Sequence, residues 1–338
     1  MSYRMPAEWE PHTGTWIAWP HNRDHWPGKF GPVPPVFVEI IAKLAESETV
    51  FLLVNDDVME KDARDLLEKR RINLDQIQFF KIATNTSWVR DYGPLFVKNE
   101  KGSIIVTDWL FNSWGNKYPP FDLDAIVPQR ISEQLRLPIE TVPMVLEGGS
   151  IEVNGKGTLL TTEQCLLHPN RNPQLNRTHI ETNLTEYLGA TNILWLSEGI
   201  IGDDTDGHID DLARFINPTT IVCAVAENTD DPDYKVLQQN YHDLKSCRDQ
   251  DGNQFKIITL PMPDPVIYEG QRLPASYMNF YIANTVMLVP TFRCDKDQKV
   301  LRTLQKLFPT RAVIGIDCTD LIWGLGAIHC STQQQPLL

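Results

Sequence analysis

Residues 94–109, PLFVKNEKGSIIVTDW, decide the fold because they have the pattern of a β-hairpin. Two apolar runs flank a polar turn near Lys101, which predicts a pair of antiparallel strands. The pattern returns three times, in GSIEVNGKGTLLTT from Gly149, LARFINPTTIVCAV from Leu212 and NFYIANTVMLVPTF from Asn279. The four turns are roughly 55 to 65 residues apart, and such regular spacing indicates a repeat architecture.

Helical and strand-like stretches alternate between the hairpins. DLDAIVPQRISEQL and DPDYKVLQQNYHDLKSC have helical character, and the runs NILWLS and FKIITLP that follow are typical of strands. Each unit therefore reads strand, strand, helix, strand. A fifth unit forms if AIHCST near the C-terminus pairs with TWIAWP near the N-terminus, with VFVEIIAKLAES as its helix and TVFLLVN as its last strand.

Closure of such a ring would remove the exposed sheet edges that a linear array leaves. We therefore predict one α/β domain over residues 1–338, built as a pseudo-fivefold ring. The alternative is an open α/β sheet in which hairpins recur by chance.

The composition excludes several classes of function. A net charge of −13 and a pI near 5.1 argue against binding to nucleic acid, which needs a basic surface. The sequence has neither a signal-peptide pattern nor an apolar run of ~18 residues, so we expect no membrane partner and a cytoplasmic location. The six cysteines lack CxxC spacing, which suggests reduced thiols. A homodimer is expected only because homo-oligomers are common.

The segment 203–211, DDTDGHIDD, contains one histidine among five aspartates and precedes a strand-like run. On a strand, alternation would place His208 and Asp210 on the same face. That arrangement would present an acid/base and an anion to one substrate. The alternative for His208 is a hydrogen-bonded loop residue.

The segment 324–336, GLGAIHCSTQQQP, places Cys330 in a predicted short strand. Gly324 and Gly326 allow close backbone approach, and the polar residues that follow suggest a cleft where the thiol could act as a nucleophile. The alternative is an inert core cysteine, the role that Cys165 and Cys223 fit.

Two further acids directly precede hairpins: Asp91 in TNTSWVRDYGP and Glu147 in VLEGGSIEVNG. In a ring, both would lie at the same rim as His208 and Asp210. Like charges held together need a cation or a proton to neutralise them, so converging acids indicate a site for a cation. Taken singly, each acid could be structural.

Metal and serine chemistry have weaker support. The sequence has no HExxH, CxxC or His-x-His spacing, and an all-acid site would leave Cys330 unused. It also has no GxSxG motif. We expect no metal and no cofactor.

Taken together, WVRDYGP, EGGS, DGHIDD and GAIHCSTQQ resemble the agmatine deiminases and the related bacterial peptidylarginine deiminases. The resemblance runs from MPAEWEPHTGTWIAWP to IHCSTQQQP, essentially the whole chain. It implies the five-bladed α/β propeller of the guanidine-modifying pentein superfamily, and a cofactor-independent hydrolase acting on a C–N bond of a linear amidine.

Carried over by position, the resemblance implies Cys330 as nucleophile, His208 as general acid/base, Glu147 as its partner, and Asp91 with Asp210 as guanidinium-binding carboxylates. We include Trp88, Glu147 and Gly326 among the expected substrate-binding residues. Carboxylates on two sides of a planar guanidinium can accept paired hydrogen bonds and fix its carbon for attack. The reaction would pass through a covalent thiouronium and release ammonia.

The substrate class is a small cationic guanidine, with agmatine as the first expectation. Its product would be N-carbamoylputrescine, in polyamine biosynthesis. Three features depart from the agmatine-type pattern: the segment 85–87, Tyr92 and Leu325. A peptidylarginine or free-arginine deiminase therefore remains an alternative interpretation. An arginine carboxylate would need a basic residue at the mouth, for which Arg272 is the candidate. Amidinotransfer to an amine and a non-catalytic cation-binding propeller also stay open.

Overall fold

The computed structural model describes residues 3–337, so positions 1, 2 and 338 of the predicted 1–338 domain lie outside the described residues. The strands are β1 (Tyr3–Arg4), β2 (His12–Ala18), β3 (Thr49–Val54), β4 (Ile77–Lys81), β5 (Leu95–Asn99), β6 (Ile104–Leu110), β7 (Ile139–Val145), β8 (Glu152–Val153), β9 (Thr158–Thr162), β10 (Asn192–Leu196), β11 (Ala213–Asn217), β12 (Thr220–Val225), β13 (Lys256–Pro261), β14 (Ile267–Tyr268), β15 (Gln271–Arg272), β16 (Tyr281–Ile282), β17 (Val286–Thr291), β18 (Ala312–Asp317) and β19 (Gln333–Pro336).

The helices lie between these strands. They are α1 (Val33–Leu44), α2 (Asp57–Lys69), α3 (Val89–Tyr92), α4 (Ser113–Asn116), α5 (Val127–Leu135), α6 (Glu163–Leu166), α7 (Arg177–Leu188), α8 (Tyr234–Ser246) and α9 (Lys296–Leu307). Short 3-10 turns connect several elements, among them Gly148–Ser150, Ile209–Asp211 and Leu321–Gly324.

Within residues 3–337 the strands form five sheets of three or four strands and one small hairpin, β14–β15. The sheet orders are β1-β5-β6-β7, β10-β9-β8, β11-β12-β13, β16-β17-β18 and β19-β2-β3-β4. Each sheet contains at least one antiparallel pair and at least one parallel pair joined through a helix, as in β11-β12-β13, where α8 connects β12 to β13. The α/β class with mixed sheets is therefore confirmed.

The four hairpins predicted from the repeat pattern are all present. They are the antiparallel pairs β5–β6, β8–β9, β11–β12 and β16–β17. The predicted fifth unit also forms, since the C-terminal strand β19 pairs antiparallel with β2 and β2 pairs parallel with β3.

The prediction that AIHCST is the strand that pairs with β2 is wrong. Residues 327–332 form buried turns, and the pairing begins at Gln333 opposite Trp16. Side chains from distant segments bind this backbone: Asn279 Oδ1 accepts from His329 N at 3.0 Å, and Arg90 Nε donates to His329 O at 3.2 Å. These long-range hydrogen bonds satisfy groups that a strand would have paired with a neighbour.

The prediction that His208 and Asp210 alternate on a strand is also wrong. The Asp203 carboxylate accepts hydrogen bonds from the backbone amides of Thr205, Gly207 and His208, which closes the segment into a turn. The 3-10 turn Ile209–Asp211 follows, and β11 begins only at Ala213.

Buried apolar residues form two clusters. The larger extends from Trp16 to Cys330, and the smaller takes residues between Tyr3 and Ala190. Because most of the smaller cluster lies within the sequence span of the larger, the two clusters do not divide the chain into consecutive segments. In the part of the chain that the structure describes, no helix is long and apolar enough to cross a membrane.

The helix α1 shows how the sequence builds this packing. Prolines occupy its first turn, where their missing N–H groups cost nothing. Phe37, Ile40, Ile41 and Leu44 follow at helical spacing and are fully buried.

We expect Phe37→Ala to lower the free energy of unfolding by about 3–5 kcal/mol, because it removes a fully buried ring and leaves a cavity. Urea denaturation followed by circular dichroism measures this change. Val58→Ala, at a helix position that is 70% exposed, is the control and should change stability by less than about 0.5 kcal/mol. Equal effects of the two substitutions would contradict the packing of α1 against the core.

Candidate active site

In each of the five sheets, a polar side chain lies shortly before the first strand of the antiparallel hairpin. Asp91 comes before β5, Glu147 before β8, Asp210 before β11, Asn279 before β16 and Cys330 before β19. The structure brings the five predicted catalytic residues, which are His208 and all of these except Asn279, to one place. Asn279 was missed because it reads as the first residue of its hairpin.

Cys330 is buried and lines a cavity in the described part of the chain. Asn279 Nδ2 donates to its Sγ at 3.1 Å, and Asp210 Oδ2 lies 3.8 Å from the same sulfur. Burial and the charges of Asp210, Asp211 and Asp91 raise the pKa of this thiol well above its ordinary value. The thiol is therefore protonated in the ligand-free protein at neutral pH.

Asp91 enters the site from α3. Its Oδ2 accepts from Trp114 Nε1 at 2.9 Å, and its Oδ1 accepts from the Gly149 amide at 2.9 Å. Burial, together with repulsion from Asp210 and Glu147, raises the pKa of Asp91 to about 6, although His208 acts in the opposite direction.

Asp210 is fully buried, and its two oxygens differ in their contacts. Oδ2 lies 2.6 Å from His329 Nδ1, whereas Oδ1 has no hydrogen-bond partner among the described residues. Burial would raise the pKa of Asp210, but the hydrogen bond and charge of His329 and the charge of His208 outweigh it, so the pKa is lowered. Asp210 is therefore an ionised carboxylate with one free oxygen.

His208 lies between two acids. Its Nδ1 is 3.8 Å from Asp91 Oδ1 and its Nε2 is 4.0 Å from Glu147 Oε2, and neither nitrogen has a hydrogen-bond partner within residues 3–337. Burial would lower the pKa of His208, yet Asp91, Cys165 and Asp210 raise it well above its ordinary value. The imidazole therefore carries a proton that it can donate.

Gly149 explains why the EGGS motif requires glycine. A Cβ at this position would lie 2.6 Å from His208 Nδ1, 2.8 Å from Asp91 Oδ1 and 3.1 Å from Asp210 Oδ2. Only a residue without a side chain lets the backbone come this close to all three groups.

Glu147 is fully buried behind His208 and does not line the cavity. Its Oε1 accepts from Arg171 Nε at 2.6 Å, and Arg171 Nη1 also donates to Asp206 at 2.7 Å. Arg171 was missed by sequence reasoning, because nothing in the local spacing links it to Glu147. Glu147 Oε2 lies 4.0 Å from His208 Nε2, and His208 and Asp210 do not line the cavity either.

Glu147, Cys165 and His208 could in principle bind a metal ion, since one ligand atom of each lies within 4.8 Å of the others. Zinc accepts these three ligand types. However, Arg171 already neutralises Glu147, and the raised pKa keeps a proton on His208. A metal ion would have to displace both positive charges, so the arrangement suits acid/base chemistry better than metal binding.

The cavity has a volume of about 230 Å³ and leads to the Cys330 thiol. Aromatic rings form much of its wall, and Asp24 and Asp204 add negative charge. Its lining residues are Asp24, His25, Pro27, Trp88, Asp91, Trp114, Tyr118, Asp204, Thr205, Gln271, Leu273, Trp323, Gly324, Leu325, Gly326 and Cys330.

Trp88 and Gly326, both predicted to bind substrate, lie against each other in this wall. A Cβ on Gly326 would be 2.7 Å from the Trp88 ring and 3.1 Å from Cys330 Cβ, so glycine lets the ring pack beside the thiol. The neighbouring Leu325 has a φ of +66°, a conformation in which glycine would be less strained.

The arginine predicted for the mouth does not line the cavity. Arg272 donates to Asp231 Oδ1 at 2.8 Å and lies 3.2 Å from Asp233 Oδ2, while its neighbours Gln271 and Leu273 face the cavity. Tyr92, another departure from the agmatine-type pattern, is buried and donates to the Thr86 carbonyl.

Comparison with known proteins agrees with this geometry. The family model for Porphyromonas-type peptidyl-arginine deiminases matches residues 4–336. A Legionella pneumophila relative, provisionally named an agmatine deiminase, is 38% identical over 337 residues, covering 99% of this chain and 95% of the relative. The chain belongs to this deiminase family.

Solved structures extend the comparison. The agmatine deiminase of Enterococcus faecalis is 34% identical to this family member, with a TM-score of 0.93 and coverage of 99% and 96% of the two chains. An amidinotransferase of Microseira wollei, at 12% identity and a TM-score of 0.52 over 98% and 96% of the chains, shares the fold alone. The fold is thus common to proteins that modify guanidines by hydrolysis and by transfer.

We predict that iodoacetamide alkylates Cys330 slowly at neutral pH, because burial and three nearby acids disfavour the thiolate. The alkylation rate should rise only at a pH well above the ordinary thiol range of about 8.5. Peptide mass spectrometry over a pH series identifies the modified residue, with Cys330→Ala as the control. If the pH midpoint of the alkylation rate lies below the ordinary thiol range, the thiol is not surrounded by an excess of negative charge.

Proposed function

We propose that this protein hydrolyses the guanidinium group of agmatine to N-carbamoylputrescine and ammonia, a step of polyamine biosynthesis, with Cys330 as the nucleophile. One observation carries the proposal: the ionised carboxylate of Asp210, with a free oxygen, and the carboxylate of Asp91 stand beside a buried thiol. A planar cation with several N–H donors satisfies this arrangement better than a neutral substrate.

Substrate binding would activate the nucleophile. A guanidinium held between Asp91 and Asp210 offsets the negative charge that keeps the Cys330 thiol protonated, so its binding favours loss of the thiol proton to solvent. The thiolate then forms a C–S bond to the guanidinium carbon. Without a cation in place, the nucleophile stays inactive.

His208 supplies the proton for the leaving group. It begins as an imidazolium held by Asp91 and Glu147, and it protonates the terminal nitrogen as the C–N bond breaks and ammonia leaves. The remaining S-alkylthiouronium is attacked by water, which gives a proton to His208. The C–S bond then breaks and regenerates the thiolate, and the hydroxyl proton left from the water passes to solvent as the ureido product forms.

The cavity wall supports a substrate tail that carries an amine. No lysine or arginine lines the cavity among residues 3–337, whereas Asp24 and Asp204 do. Burial and the nearby His21 lower the pKa of His25 to about 4, so this histidine is neutral at physiological pH. A free arginine carboxylate would therefore find no cationic side chain in the cavity wall. The agmatine ammonium would find Asp24, whereas Asp204 already lies 3.6 Å from Lys117 Nζ.

Peptidylarginine and free arginine remain the alternative substrates because the matching family model carries the peptidyl-arginine name. The pairing of Arg272 with Asp231 and Asp233 argues against free arginine.

We further propose that the five sheets form one closed five-bladed propeller over the whole chain. The pairing of β19 with β2, which joins the two ends of the sequence in one sheet, supports this proposal. All six cysteines are unpaired, which supports a reducing compartment such as the cytoplasm.

We expect native protein to release ureido product and ammonia from agmatine, and much less from arginine or a blocked arginyl peptide. Colorimetric ureido assay and coupled ammonia assay measure the two products. Cys330→Ala should abolish turnover, whereas Cys223→Ala, a buried cysteine in β12, should retain it. If the protein prefers the arginyl peptide, peptidylarginine and not agmatine is the substrate. If Cys330→Ala turns over agmatine, Cys330 is not the nucleophile.

The pH dependence of kcat/KM should show an acid limb near pH 6. Asp91 must be ionised to bind the guanidinium, and its pKa is raised to about 6, so activity is lost as the pH falls through that value. Steady-state rates at low agmatine concentration measure this limb. A limb in the ordinary aspartate range of about 3.9 would contradict the role of Asp91.

A further inference from the structure

Glu8 is a buried acid that takes no part in the proposed reaction steps, yet it contacts four distant segments. It lies in the connection between β1 and β2. Its Oε1 accepts from Arg214 Nη2 at 2.9 Å and from the Ile282 amide at 2.8 Å. Its Oε2 faces His329 Nε2 at 2.9 Å and Arg90 Nη2 at 3.3 Å.

His329 links this acid to the site. Its ring is 1% exposed and is held between two carboxylates, with Nε2 on Glu8 Oε2 at 2.9 Å and Nδ1 on Asp210 Oδ2 at 2.6 Å. The two nitrogens of the His329 ring therefore connect the two carboxylates in one hydrogen-bonded chain, Glu8–His329–Asp210.

The position of the ring depends on both ends of this chain. Burial and the charges of Arg214 and Arg90 lower the pKa of His329, whereas Glu8 and Asp210 act in the opposite direction. Without Glu8, the Nε2 atom of this buried ring would lose its hydrogen-bond partner.

Asp210 has few other contacts that could fix its carboxylate. Asn279 Nδ2 is 3.4 Å and Cys330 Sγ is 3.8 Å from Oδ2, both weaker than the contact with His329 at 2.6 Å. The orientation of the free Oδ1 therefore depends mainly on His329.

We propose that Glu8 is a positioning residue for the guanidinium site: it fixes the imidazole of His329, which holds Asp210 Oδ2 and leaves Oδ1 free for the substrate cation. The inference rests on the proposed function, because it assigns Asp210 to a planar cationic group. The competing view is that Glu8 only neutralises Arg90 and Arg214 and so holds the sheets together.

Glu152 offers a matched control for this distinction. It is a buried acid that binds the same arginine, since its Oε2 accepts from Arg214 Nε at 2.9 Å and its Oε1 accepts from the Phe215 amide at 2.9 Å. Its hydrogen bonds go to Arg214 and Phe215, so it stands outside the chain that ends at Asp210. A purely structural role predicts similar consequences for Glu8→Gln and Glu152→Gln.

The experiment compares two alkylating agents on Cys330. In 2-chloroacetamidine the amidinium is a planar cation that Asp210 can bind, whereas iodoacetamide is neutral. In both reactions the Cys330 thiolate displaces the halide and forms a thioether. A change in the ratio of the two rates therefore reports recognition of the amidinium cation by the site. We expect Glu8→Gln to lower the ratio of the chloroacetamidine rate to the iodoacetamide rate by about 10- to 100-fold, by analogy with the loss of residues that orient metal-binding side chains.

Glu152→Gln should leave this ratio at the native value. His329→Gln should lower it as Glu8→Gln does, and the double variant should lower it no further, because the two residues act through one chain. KM for agmatine should rise in Glu8→Gln, with a smaller change in kcat. Circular dichroism confirms that each variant is folded.

A folded Glu8→Gln variant with the native ratio would overturn the proposal, and so would an equal fall in Glu152→Gln. If Glu8→Gln does not fold, the ratio of alkylation rates in His329→Gln tests the proposal instead. A native ratio in that variant overturns the proposal. Alkylation needs no turnover. A lowered ratio in a protein that does not hydrolyse agmatine would therefore support the role of Glu8 and reject the proposed substrate.

Discussion

The structure depends on a buried network of acids and arginines beneath the active-site cavity. Glu8 joins Arg90, Arg214 and His329, which come from separate sheets or from the turns before them. Arg214 also binds Glu152, so each acid in this layer faces a cation. Removal of one member of such a buried set typically costs about 3–5 kcal/mol, because it leaves an uncompensated charge.

Around the Cys330 thiol the charges are balanced differently, because acids predominate there. Asp91 has a raised pKa, Asp210 has a free oxygen, and the Cys330 thiol cannot ionise easily in their presence. A guanidinium corrects all three conditions at once, since it supplies the positive charge and the N–H donors that the protein leaves out. In the proposed mechanism, the bound cation therefore prepares the thiol that attacks it. Neutral molecules that enter the cavity would meet an unreactive thiol.

Much of this could be predicted from sequence because the signals are local. Hairpins recur at regular spacing, and Asp91, Glu147, His208 and Cys330 each stand in a short motif just before one of them. The predicted strands at His208–Asp210 and at Cys330 were wrong because polar side chains bind the backbone there. Asp203 does so from within its own loop and Asn279 from another sheet, and strand alternation cannot anticipate either contact.

The supporting residues could not be predicted for a related reason. Arg171 is 24 positions from Glu147, and Glu8 is 321 positions from His329, so no spacing rule connects them. Only the arrangement of the sheets brings these pairs together. His329 had a local signal, its place beside Cys330, but its function depends on partners that are far away in the chain.

The most direct test of the proposed mechanism is the mass of the covalent intermediate on the protein. Native enzyme is mixed with agmatine, quenched in acid within the first turnovers, and digested for peptide mass spectrometry. The mechanism predicts an adduct on Cys330 with the mass of agmatine less ammonia, because the terminal nitrogen leaves first and the alkyl chain stays attached. An adduct that contains only the amidino carbon and its nitrogens would instead show that the amine leaves first, as in amidinotransfer. An adduct on another residue would contradict the assignment of the nucleophile.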